Sequence, residues 1–391
     1  MYVISGQLAL EITLGPNKTP LPLDTGNLQH IHLIESVARN PPQMQICFRD
    51  VTNAVLANSL GDGTLINVSI GKLEDRGAVK PIVFRVFSIP QAGPTSGGGM
   101  YIINCFLDKP KFTRGLVVGG YSGTSDAAMK KLAADCDLVY ESELKGDDEM
   151  SWLSAKKSYL GLANHICDHA YINETSCTSF AVNTDGILKF VDLAALAKKR
   201  PKGLFYYKDL AMVPQDIRTR TSPNHFQITD FTAKSSAGFM NNWMGYGYKQ
   251  TQEQLDGTFT EHKKVKATRL SNSFDINKEV AGQVENVRNV YTPPDCGNTH
   301  KSFVKAFHQN KRLKTIYSNP IELVTEGFTD LTLYDLVYVD LIDKADNTQQ
   351  TNNSGLYFVS GKARSIMNNQ YYEKYTLLST GKNVNPTGER V

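Results

Sequence analysis

The residues best spaced for chemistry are His165-Ile166-Cys167-Asp168-His169, where two imidazoles four positions apart would share one face of a helix. A metalloprotease helix carries a glutamate directly after the first histidine as general base, and Ile166 stands in that place. Cys167 would project to the opposite side of such a helix, so the motif alone does not close a ligand set. A polar helix end, with imidazoles near the negative pole of the dipole, is the simpler reading. A metal-dependent hydrolase around His165 and His169 stays as an alternative.

Other candidates fall short on spacing. Gly97-Gly98-Gly99 lacks the Gly-Lys-Ser/Thr ending of a phosphate loop and opens a strand, as a hairpin linker does. Gly119-Gly120-Tyr121-Ser122-Gly123 does not have the single-residue spacing of a nucleophile elbow. Asp147-Asp148-Glu149 sits where a helix is expected to begin and reads as a capping feature. The remaining histidines (His30, His32, His225, His262, His300, His308) form no recognisable triad spacing. No catalytic, cofactor-binding or metal-ligating residue is assigned and no cofactor is expected, which favours a structural or binding role.

Composition narrows the classes further. Lys and Arg number 42 against 39 Asp and Glu, a net charge of +3, too weak for a dedicated nucleic-acid binder. The basic runs at Lys198-Lys199-Arg200, Lys263-Lys264 and Lys311-Arg312-Leu313-Lys314 read as solvated surface. With 41% hydrophobic and 21% charged residues the chain is globular, and it has no apolar run of membrane-spanning length and no recognisable targeting segment. Six cysteines without a CxxC pair read as free thiols.

The elements that would position these residues begin as β-structure. Gln7 to Leu14, Gln43 to Phe48 and Leu65 to Ile70 alternate apolar with polar, and strands follow at about Ile82 to Ile89 and Met100 to Leu107. Thr124 or Ser125 caps a helix bearing Met129, Leu132, Ala133 and Cys136 on one stripe. A longer helix is expected from about Asp148 to His169, with Trp152 on its apolar face. Then come a hairpin, Thr178 to Asn183 and Ile187 to Val191, turning at Asp185-Gly186 in a type I′ turn, and a short helix, Asp192 to Lys198. Asn224 to Thr232 suits a strand, Ser235 to Gln250 an irregular loop rich in aromatics, and Lys301 to Lys314 a helix. Strands return at Ile321 to Val324, Leu336 to Leu341, Leu356 to Gly361 and Tyr371 to Leu378.

The two β regions run in parallel. Leu65 to Ile70, a polar loop, Ile82 to Ile89, a loop and Met100 to Leu107 match Leu336 to Leu341, a polar loop, Leu356 to Gly361, an Asn-rich loop and Tyr371 to Leu378 in order. Internal duplication is the working reading.

Three segments carry a family resemblance: Gly119 to Cys136 with Asp148 to His169; Phe180-Ala181-Val182-Asn183-Thr184-Asp185-Gly186-Ile187-Leu188-Lys189-Phe190; and Leu331 to Val337 with Leu356 to Gly361 and Tyr375 to Leu378. In order and hydrophobic pattern the chain resembles the baseplate hub protein of contractile-tailed, T-even-type phages and the related hub half of type VI secretion spike proteins. The resemblance implies an α+β, mostly β fold: two similar small β-barrels with an α+β insertion between them and an irregular excursion before the second barrel. The expected divisions are 1–110 for the first barrel, 111–200 for the insert and 201–300 for the start of the second barrel plus the excursion. Residues 301–382 would hold a helix and the second barrel, and 383–391 a tail.

For function, the resemblance implies a non-enzymatic homotrimer. Its two barrels per chain would make a pseudo-sixfold ring that adapts a hexameric tail tube to a trimeric spike around a central channel for DNA passage. Implied partners are the spike, the tail tube or its initiator, and a tape-measure protein, with DNA only in transit and no membrane insertion. Because the family can fuse a spike or lysozyme and this chain ends at Val391, a separate spike is expected. The location would be the virion tail baseplate, assembled in the host cytoplasm. A tail-tube initiator is a further alternative.

Overall fold

The computed structural model describes residues 2 to 379 with gaps, the longer ones at 21–26, 75–79, 234–250, 256–261, 267–290, 293–299, 311–318 and 342–352; residues 380–391 and short gaps of one to three residues are also outside it. The aromatic stretch at 235–250 therefore lies outside the described residues.

The first region is β1 (Tyr2–Ile4), β2 (Leu8–Leu14), β3 (Thr19–Pro20), β4 (Leu28–Ser36), β5 (Arg39–Asp50), β6 (Leu65–Lys72), β7 (Ile82–Ser88), β8 (Gln91–Thr95) and β9 (Gly98–Leu107). The alternation seen in the sequence is the burial pattern: Leu10, Ile12, Ile46, Phe48, Ile66, Val68, Phe84 and Ile103 are at most 2% exposed. Gly98 and Gly99 open β9 and pair back onto β8, so this glycine run belongs to a hairpin. Strand β4 escaped the sequence reading. Its inward positions are Ile31, Leu33 and Glu35, and a carboxylate at the third hides the period.

The insert follows with β10 (Gly119–Gly123), β11 (Val139–Ser142), β12 (Met150–Ser154), β13 (Thr178–Val182) and β14 (Ile187–Asp192). The helix Ser125–Asp135 is capped by Thr124, whose hydroxyl accepts from Ala127 N–H. The expected single helix from Asp148 to His169 is instead a strand and a shorter helix: β12 pairs with β10, and the helix Tyr159–His169 starts at its own cap, Ser158. Trp152 is therefore a strand residue, fully buried, with its indole N–H donating to Gly123 O at 2.9 Å. Apolar residues at 152, 155, 159 and 162 suit a helical period, yet the capping serine at 158 and the left-handed Lys156 (φ 55°) interrupt it.

Asp148 does cap a helix, but not the one next to it in sequence. Its Oδ1 accepts from Ser125 N–H at the start of Ser125–Asp135, and its Oδ2 accepts from Tyr171 N–H. The hairpin β13–β14 is present, but Gly186 is left-handed (φ 74°) and Asp185 is not, so its turn is not type I′. The Asn183 side chain closes it, accepting from the N–H groups of Asp185 and Ile187.

The last region holds β15 (Gly203–Tyr207), β16 (His225–Ala233), β17 (Thr251–Leu255), β18 (His262–Lys266), β19 (Tyr291–Thr292), β20 (Asn319–Glu326), β21 (Leu336–Asp340), β22 (Gly355–Met367) and β23 (Gln370–Ser379). Strands β17 to β19 form a small sheet of their own. The other six close into a barrel in the order β21-β15-β16-β20-β23-β22 and back to β21.

Both β regions share one ladder. In the first the order β6-β7-β9-β5-β4 is antiparallel throughout, and in the second β21-β22-β23-β20-β16 repeats it with corresponding strands. The register shifts repeat as well: one lies between β7 and β9 at Val86/Ser88 and its counterpart between β22 and β23 at Val359/Gly361. Another lies between β4 and β5 at Leu28/His30, with a counterpart between β16 and β20 at Ile228/Asp230. Bulges are specific local features, so matched bulges on matched strands are a stronger sign of duplication than strand order alone.

Beyond the shared ladder the regions differ in the strand beside β6 and β21. β2 runs antiparallel to β6, whereas β15 runs parallel to β21 and to β16 and so closes the second barrel. Among the described residues the first sheet has no pairing between β2 and β4. No described helix is long and apolar enough to cross a membrane.

Candidate functional site

The histidine pair lies where the insert meets the segment that follows residue 300. The His165 and His169 rings are 4.4 Å apart, as expected one helical turn from each other. His169 stacks on Phe303 at 4.0 Å and on Phe307 at 4.9 Å, and its Nδ1 donates to His165 O at 2.8 Å. His165 packs edge-on against Trp152, and His300 Nε2 donates to His169 O at 3.0 Å. Burial brings both His165 and His169 down to about pKa 4, so both are neutral near pH 7. Cys167 points away, its thiol donating to Thr178 O. Among the described residues no three His, Cys, Asp or Glu side chains converge to hold a metal ion. The pair belongs to an aromatic core.

Two side chains of the 300–310 segment bind the insert through polar contacts. Asn310, fully buried, donates to the carbonyls of Cys167, Asp168 and Ala170 at the end of the helix Tyr159–His169, and accepts from Thr178 N–H. Helix C-termini leave orphan carbonyls, and here a distant amide satisfies them. Gln309 donates to Asn173 O and Ser176 O in the loop that follows.

A buried polar cluster lies at the seam of the two β regions. Strand β22 changes partner along its length: Gly355 to Phe358 pair with β21, while Gly361 to Met367 pair with β4 of the first region. The exchange occurs at the bulge around Ser360, where a Cβ on Gly361 would lie 3.3 Å from Thr376 Cβ and 3.5 Å from Glu35 O. One row across the three strands is Glu35, Lys362 and Tyr375, and another is Leu33, Arg364 and Glu373.

Lys362 Nζ lies 3.2 Å from Glu373 Oε1 and donates to Thr329 O and Leu331 O. Glu373 also accepts from the hydroxyls of Tyr371 and Tyr375 and from Thr329 N–H. Glu35 accepts from the N–H and hydroxyl of Thr184, in the turn of the β13–β14 hairpin, which brings the insert into the same cluster. Burial draws the Lys362 ammonium below the ordinary lysine range, opposed by Glu373. Burial also disfavours charge on Arg364, yet Glu35 and the neighbouring Tyr371 and Glu373 outweigh it, and the guanidinium lies over the Phe328 ring at 5.4 Å. The cluster fixes the first sheet, the second barrel and the insert hairpin to one another. Sequence reasoning missed it, although Glu35, Lys362 and Glu373 all occupy inward positions in strands, where a charge is a signal in itself.

No protein-family model matches the chain, and no curated protein matches it. The fold is similar to that of solved phage tail proteins. The tail protein from Neisseria meningitidis MC58 superposes with a TM-score of 0.58 at 10% identity, covering 96% of this chain and 97% of that one. The 43 kDa tail protein of prophage MuSo2 from Shewanella oneidensis superposes with a TM-score of 0.56 at 12% identity, covering 96% and 99%. At such identities the likeness is one of fold, and it extends over essentially the whole of both chains.

Proposed function

We propose that the chain is a structural subunit of a phage tail baseplate hub, a homotrimer whose two β regions per chain form a pseudo-sixfold ring. The observation that carries this is the repeated ladder with its matched bulges. Three copies of a duplicated unit present six similar surfaces to a hexameric tube while keeping a true threefold axis for a trimeric spike. The seam supports the same reading, because a ring under axial load needs its two units held rigidly, and β4–β22 pairing with a buried ion cluster does so. A central channel in such a ring would pass DNA, and the near-neutral charge of +3 suits a lumen that must not retain phosphates.

In this reading the protein is not an enzyme, resides in the virion tail baseplate after assembly in the host cytoplasm, and contacts spike, tube and tape-measure proteins. Native mass spectrometry of the purified chain, followed by class averages in electron microscopy, tests it. Trimers with six-lobed rings are expected. A monomer that persists at high concentration and binds neither spike nor tube would overturn it, and hexameric rings would make it a tube initiator instead.

A further inference from the structure

The β10–β12 ribbon of the insert is a two-stranded sheet, and among the described residues no strand pairs with its outer edges. Proteins guard such edges with charges, prolines or bulges. From Gly115 to Gly123 there is neither a charge nor a proline. Instead Val118 is 98% exposed, Leu116 65%, and Leu153, opposite Gly120 on the ribbon, 51%. Val117 between the first two is buried, so Leu116 and Val118 project away from the core.

The ribbon is also firmly held. A Cβ on Gly120 would come within 2.3 Å of Trp152 O, and the Trp152 indole is tied to Gly123 O. A closely packed, unguarded apolar edge is a surface suited to a partner.

The rim indicates which partner. Arg114 and Lys156, both exposed, flank the apolar stretch. After the helix Ser125–Asp135 the same chain carries the opposite arrangement: edge strand β11, with Val139 61% exposed and the carboxylates of Glu141 and Glu143 beside it. Glu141 lies 3.8 Å from Lys189, and Glu143 meets Lys199, yet their side chains keep 59% and 80% exposure.

We propose that the β10–β12 edge docks the β11 edge of a second copy of this chain, joining neighbouring inserts by strand addition with an apolar centre and an ion-paired rim. Two unlike patches make a head-to-tail contact, the kind that closes into a ring. The inference rests on the homo-oligomeric reading above and names the surface that serves it.

The test uses the full-length chain. A Val118→Cys/Val139→Cys double variant is treated with a short bismaleimide, with each single variant as control, since the five described native cysteines are buried. Covalent trimers are expected from the double variant alone. Val118→Lys should raise the concentration needed for assembly at least tenfold, with no change in the melting temperature measured below the concentration at which the wild type assembles. Glu141→Lys with Glu143→Lys should weaken assembly, and adding Arg114→Glu with Lys156→Glu should restore it. Trimers that form without the cross-link and ignore Val118→Lys would overturn this interface and leave the hub reading standing. Protection of the thiol of the Val118→Cys variant only by added spike or tube protein would overturn it as well. A wild-type chain that stays monomeric at every concentration would instead remove the homo-oligomeric reading and this surface with it.

Discussion

Lys362 Nζ sits 3.2 Å from Glu373 Oε1, with side-chain exposures of 1% and 0%, at the place where β22 leaves one barrel strand for a strand of the other β region. Burying two charges costs several kcal/mol each unless geometry and extra hydrogen bonds offset it, and here backbone carbonyls and two tyrosine hydroxyls do. Removing one partner should be far worse than removing both. Lys362→Met is expected to cost about 3–5 kcal/mol, and Lys362→Met combined with Glu373→Leu to recover much of it. Urea denaturation of both single variants and the double variant checks this; additive losses would refute it.

Asn310→Ala should loosen the insert. It leaves three carbonyls at the end of the helix Tyr159–His169 and the Thr178 N–H without their amide partner. A loss of about 2–4 kcal/mol is expected, since buried unsatisfied groups cost about 1–3 kcal/mol each and water can replace some bonds. Hydrogen exchange should quicken in Tyr159–His169 and in β13 before it does in β20 to β23.

Acid should weaken the aromatic core between insert and post-300 segment. His165 and His169 have folded pKa values near 4 against 6.5 when unfolded, because burial penalises the imidazolium. Between those values the unfolded chain binds more protons, so stability is whole above about pH 6.5 and falls as pH drops toward 4. Denaturation midpoints measured from pH 7.5 to 4.5 should decline, and His165→Gln/His169→Gln should decline less steeply. Equal slopes would contradict the assignment.

Gly120→Ala should part the ribbon, since its Cβ would meet Trp152 O at 2.3 Å and the Leu153 backbone at 3.0 Å. In a Trp243→Phe background, which leaves Trp152 as the sole tryptophan, emission should shift to the red as the indole leaves its buried site. Gly119→Ala, in a left-handed backbone (φ 101°) with open space around its Cβ, should destabilise by strain without that shift.

Much of the fold was legible locally. The alternation in β2, β5, β6 and β9 and the cap at Thr124 depend on residues close in sequence, and period and capping chemistry report them directly. The order of strands in the two β regions was legible too, through the matching runs around Leu65 and Leu336. What misled was also local: Trp152, Tyr159 and Leu162 mimic a helical stripe, though β10 captures Trp152 as a strand.

The chain by itself thus determined which segments are strands with one buried face, where one helix begins, and that the same order of strands occurs twice. Only the tertiary structure decided which N–H groups Asp148 would cap, that β22 serves both β regions, that Glu35 meets Thr184 across 149 residues, and that His165 and His169 are core. The physical reason is range. Side-chain periodicity and capping are fixed within a few residues, whereas the partner of a buried charge is whatever group the long-range pairing of strands brings within about 3 Å.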